Sequence, residues 1–162
     1  FLAVWVIGYG IVQSFAPRLL SRGGREVDEV RATQHWALML AAVSATIAVL
    51  VAFDVAVTVA IVGGLIVFGV VFAMHSSLHS FLVLAFSDDD EVALDVGFYY
   101  SANAAGRLVG TLLSGVLYLW GDLAAALWGS AAFVVLTWLF ALRLPPMPAN
   151  VNVSLAAIEA SD

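Results

Sequence analysis

Long apolar runs joined by short polar loops set the limits on what this chain can form. A helix needs about 20 apolar residues to cross a ~30 Å hydrocarbon core. Runs of that length can be drawn over residues 1–20, 35–53, 55–86, 98–120 and 123–142. The chain is 63% hydrophobic and only 11% charged, against about 45–50% and about 25% in soluble domains. The apolar excess lies in continuous runs and does not alternate. The expected class is therefore an all-α integral membrane protein with five transmembrane helices.

The polar segments fall between these runs. Residues 21–34 form a loop, residues 87–97 an acidic loop, and Gly121–Asp122 a tight turn. The run 55–86 would measure about 48 Å as one helix at about 1.5 Å per residue. Its second half is expected to protrude, bend or lie in the interface. The tail 143–162 has three prolines and no core-forming pattern, so disorder is expected there. The chain opens at Phe1, already inside an apolar run, with no basic region or small-residue cleavage site before it. It does not read as a signal peptide, and the N-terminal part of the same polypeptide is expected to be missing.

Charge placement gives an orientation. The chain has six arginines, no lysine and a net charge of -6, which argues against nucleic-acid partners. Arg18, Arg22, Arg25 and Arg31 cluster in the first loop, and Arg143 follows the last run. The turns at Asp54 and at Gly121–Asp122 carry no basic residue. By the positive-inside rule the first and third loops and the C-terminus are cytoplasmic.

Polarity within the runs separates supports from working helices. The second and fifth runs carry only scattered Ser and Thr and read as lipid-facing supports. The first carries Tyr9 and Gln13 on one face, the third His75 and His79, and the fourth Asn103, Arg107 and Thr111 at steps of four. Beside that last stripe run Ala102, Gly106, Gly110 and Ser114. Small rows let helices pack closely in lipid, and an intramembrane charge needs a partner or a path to water. The small row is thus a candidate packing surface. Tyr9, Gln13, His75, His79, Asn103, Arg107 and Thr111 are candidates for a substrate path or gate.

Competing chemistries are less well supported by the sequence. His75 and His79, four apart, would suit one metal ion, but no acid lies between them and no third ligand is evident. Hydrogen bonding to Ser76, Ser77, Ser80 or another helix is the expected role, with proton or anion sensing as a further one. Asp88–Glu91 lacks the spaced ligands of a calcium loop and reads as an acidic helix start capped by Ser87. Ser114–Gly115 lacks the first Gly of a nucleophile elbow and a nearby His, so no enzyme activity is expected. The chain has no cysteine, which excludes disulfides and thiolate ligands. Neither metal nor cofactor is expected. Arg107 has three readings: snorkelling to headgroups, gating through a salt bridge, or contact with an anionic substrate.

The string from Gly97 to Tyr118, GFYYSANAAGRLVGTLLSGVLY, resembles the eleventh helix of major facilitator superfamily transporters. The loop APRLLSRGGR, Ala16 to Arg25, is similar to the superfamily's cytoplasmic signature after the eighth helix. GYGIVQSFAP and HSSLHSFLVLAFSDDDEVALDVGFYY look most like the organoarsenical efflux permeases of bacterial arsenic-resistance operons. The resemblance covers nearly all of the chain but the tail. It implies helices eight to twelve of a twelve-helix transporter that works by alternating access between two halves. It further implies secondary active efflux of a small anionic organoarsenical, such as an arsenylated phosphoglycerate, across the bacterial cytoplasmic (inner) membrane. Arg107 would then be an anion partner, or a contact to the first half that switches between states. The alternatives are a transporter of the same superfamily for a sugar phosphate or a drug and, in another class, a non-transporting membrane scaffold or intramembrane enzyme.

Overall fold

The computed structural model describes residues 2–21, 29–87 and 91–146, with side chains at 3–16, 29–87 and 91–146. Arg18, Arg22, Arg25, the acids 88–90 and the tail from 147 lie outside the described side chains, as does most of the signature-like loop. The described residues are helical, with no strand among them. The elements are α1 (Leu2–Ser21), α2 (Glu29–Ala52), α3 (Val57–Ala85) and α4 (Val92–Ala141). Helices α2, α3 and α4 are long and apolar enough to cross a membrane, and α1 holds the shorter apolar stretch Ala3–Ala16.

Helix α4 is a bent element. Gly121 and Asp122 leave helical geometry and divide it into limbs 92–120 and 123–141, where a tight turn is expected from sequence. Asp122 has φ 57° and ψ -160°, a region that costs an L-residue free energy and that glycine enters readily. The turn between α2 and α3 uses two more left-handed residues, Asp54 (φ 57°) and Ala56 (φ 42°). These turns reverse the chain without adding a polar loop.

Helix limits reach past the apolar runs. α2 begins at Glu29, about a turn and a half before residue 35, because Glu, Arg, Ala and Gln are good helix formers in water. α4 likewise begins at Val92. α3 is continuous through all 29 residues, so its length is not taken up by a break. Ser87 does not cap α4: its hydroxyl donates back to the Val83 carbonyl at 2.7 Å. Glu91 flanks the start of α4 without a side-chain cap.

α2 is the hub of the bundle, packing against both α3 and α4. It buries Ala37, Ala41, Ser44 and Ala48 along with Leu40 and Ile47. Such small side chains let neighbours approach from both sides. The expectation of a peripheral, lipid-facing second helix does not describe this chain. Limb 92–120 is the outlying piece instead, with residues 100–112 exposed throughout.

Close approach occurs at glycines other than those of the Ala102–Ser114 row. A Cβ on Gly64 would lie 2.5 Å from Ile47 of α2, and one on Gly69 would lie 2.8 Å from the indole nitrogen of Trp5 in α1. A Cβ on Gly129 would collide with Leu117, where the limbs of α4 fold together. Beside Gly106 and Gly110, by contrast, there is no atom within 4 Å of a Cβ.

Candidate functional site

Helices α1 and α3 run parallel, and their contacts climb together. Trp5 Nε1 donates to the Leu65 carbonyl at 2.6 Å, reaching across residue 69 because that residue is glycine. Trp5 stacks on Tyr9, ring centroids 6.0 Å apart, and Tyr9 on Phe72 at 5.6 Å. Further along, Ser77 Oγ donates to the Gln13 carbonyl at 3.4 Å and to its own Ala73 carbonyl at 3.0 Å. Tyr9 lies against α3, where an aromatic ladder half-buries it, and Gln13 meets α3 through its backbone carbonyl.

A polar cluster follows that ladder. His75 is 7% exposed and Thr33, on α2, 1%. The Thr33 backbone lies within hydrogen-bonding reach of the His75 ring. His75 and His79 meet edge to face at 5.8 Å, and His79 stacks on Tyr99 at 5.6 Å. The Tyr99 hydroxyl and His79 Nδ1 are hydrogen-bonded at 3.3 Å. Gln34 Nε2 donates to the Ala141 carbonyl at 3.0 Å, tying α2 to the end of limb 123–141. Gln13, Thr33, Gln34, His75, His79 and Tyr99 thus gather toward one end of the bundle, the end at which α1 leads into α2. The neighbouring-helix partner expected for the histidines is Tyr99 for His79, while His75 lies beside the Thr33 backbone.

Two atoms in the cluster have no hydrogen-bond partner among the described residues: Thr33 Oγ1 and His75 Nδ1, both fully enclosed. Other helix hydroxyls fold back on the carbonyl four residues earlier, as in Ser44, Thr46, Ser80, Ser101 and Thr137. Thr33 does not. An unsatisfied buried polar group costs about 1–3 kcal/mol, so the Thr33–His75 junction is the least satisfied point in the described interior.

Asn103, Arg107 and Thr111 lie elsewhere. All three are exposed on limb 92–120, and the chain does not bring them to the histidines. The Thr111 hydroxyl donates to the Arg107 carbonyl at 2.8 Å. The Arg107 guanidinium has no ion-pair partner among the described residues. Beside the stripe, Gly106, Gly110 and Ser114 line a groove of about 430 Å³ whose far wall includes Ser44, Phe68, Gly129, Ser130 and Phe133. No histidine lines it, so Ser114 has no base there. Asp54, a conceivable proton carrier only if buried, is exposed at its turn.

Sequence reading did not single out Trp5's bond to Leu65, Thr33 or Tyr99's bond to His79. The spacing of Trp5 and Gly69 carries no local signal, since 60 residues separate donor and acceptor. Tyr99 was legible only as the start of the polar helix. No protein-family model, curated protein or solved structure matches this chain.

Proposed function

We propose that this chain belongs to a secondary active transporter of the major facilitator type and forms helices eight to twelve of it. The substrate is a small anionic organoarsenical such as an arsenylated phosphoglycerate, moved outward across a bacterial cytoplasmic membrane by alternating access. The observation that carries this reading is the unpartnered charge of Arg107 on an apolar limb of span length. A guanidinium placed inside hydrocarbon costs a few kcal/mol unless protein, water or an anion meets it. Among the described residues, none covers that face. A stripe with one cation, one amide and a neighbouring row of small residues suits either an anion path or the surface of the other half of the molecule. Arg offers bidentate hydrogen bonds to an oxyanion in either case.

The test is arsenate resistance and efflux in cells carrying the whole gene, comparing the native sequence with Arg107→Ala and Arg107→Lys. Resistance is expected from the native gene and loss of efflux by about tenfold or more from Arg107→Ala, about 1.4 kcal/mol or more. Arg107→Lys should fall between them. If deleting the whole gene leaves arsenate sensitivity unchanged, the arsenical assignment is wrong. Uptake of sugar phosphates or drugs into everted vesicles then decides between the remaining substrates of the superfamily.

A further inference from the structure

The Thr33–His75 junction holds a titratable ring at the meeting of α2 and α3 with one nitrogen unused. A neutral imidazole needs one donor and one acceptor site, whereas an imidazolium has two N–H donors and needs two acceptors. Here His75 has the Thr33 backbone within reach, and its Nδ1 meets nothing. Thr33 Oγ1, the obvious second acceptor, is enclosed and equally idle. The two orphans belong to side chains on α2 and α3, which pack against each other.

Among the described side chains, the titratable and charged groups on the surrounding elements are few. α3 itself carries His79, which stacks on Tyr99 and shares a hydrogen bond with it. α1 carries Tyr9, held on Phe72. α2 carries Glu29, Arg31 and His35. Arg31 and His35 are exposed, and the His35 ring is bonded to the Arg31 carbonyl. α4 carries Asp95, one turn before Tyr99. No carboxylate among them meets His75 Nδ1. Among the described residues, a proton added at His75 Nδ1 therefore finds no acceptor in this packing.

We propose that His75 is a proton-binding site whose occupancy is linked to movement of α2 against α3, with Thr33 Oγ1 accepting the second N–H in the protonated arrangement. Tyr99 and His79 lie between the start of α4 and the His75 ring, Tyr99 hydrogen-bonded to His79 at 3.3 Å and the two imidazoles with centroids 5.8 Å apart. Proton binding at such a point gives a transporter its coupling ion. That last step rests on the function proposed above; the site itself does not.

The whole protein in lipid nanodiscs, labelled with ¹⁵N-histidine, tests the site without any substrate. Leu38→Cys on α2 and Leu84→Cys on α3, both exposed, carry the spin labels, with any cysteine in the rest of the protein first replaced by serine. The signals lost in His75→Asn are those of His75. Between about pH 8 and about pH 3, a range wide enough for a buried histidine, His75 should pass from neutral to imidazolium. The α2–α3 distance should change with the same midpoint, and the change should vanish in His75→Asn. Thr33→Val should lower that midpoint, because it removes the second acceptor. His75 remaining neutral throughout overturns the proposal. So does its titration without a distance change, or a change that survives in His75→Asn; if that variant fails to fold, the native titration and Thr33→Val decide. Linked titration in a protein that moves no organoarsenical would sink the transport reading alone. Efflux without linked titration would sink the proton site alone.

Discussion

At the scale of single residues, glycine is valuable in this chain where a ring needs the space. Gly69 lets the Trp5 indole reach the Leu65 carbonyl at 2.6 Å. A Cβ there would meet indole atoms at 2.8 to 3.1 Å, and the indole is held by its hydrogen bond and its stack on Tyr9. Gly69→Val should therefore destabilise the bundle by about 1–3 kcal/mol, read from denaturant unfolding followed by tryptophan fluorescence. Trp5→Phe should cost about 1 kcal/mol through the lost hydrogen bond and make Gly69→Ala better tolerated. Asp122 is the converse case. Its backbone lies where glycine fits, so Asp122→Gly should raise the unfolding midpoint, a gain of about 1 kcal/mol.

At the scale of elements, the contrast lies between packed and unpacked small residues. Helix α2 uses Ala37, Ala41, Ser44 and Ala48 to hold neighbours on both sides. Limb 92–120 carries an equally regular row, yet Gly106 and Gly110 face open space. Gly110→Leu should leave the folding of this chain unchanged to within about 0.5 kcal/mol, as for surface changes generally. In the whole protein, if it is the proposed transporter, the same substitution should reduce efflux sharply where another helix seats on the row. Equal efflux in Gly110→Leu and native protein would remove the packing role assigned to Ala102, Gly106, Gly110 and Ser114. Gly129→Val, where the limbs of α4 already touch at Leu117, should destabilise in either setting.

At the scale of the whole molecule, the proposed topology makes a simple prediction. Single cysteines at Asp54 and Asp122 should react with an impermeant thiol reagent added outside intact cells. A cysteine at Leu142 should react only in inverted vesicles. The reverse pattern would invert the orientation drawn from Arg18, Arg22, Arg25, Arg31 and Arg143. It would also place the histidine cluster toward the outer face, since Gln13, His75 and Tyr99 lie toward the same end as the start of α2.

The sequence by itself determined the helical class, the apolar spans and the turns, because span length and the interruptions at Asp54 and Gly121–Asp122 are local properties of the chain. It also identified the polar residues, since a His or Arg in an apolar run is conspicuous wherever it ends up. Only the tertiary structure decided which of these meet. It joined His79 to Tyr99, set His75 beside Thr33 with both side chains unsatisfied, separated both from Arg107, and made α2 the hub. Periodicity shows which residues share a helix face, and packing between helices decides what that face meets. That choice depends on contacts such as Trp5 with Gly69 and Ile47 with Gly64, between residues far apart in sequence, and such contacts leave no trace in any one helix.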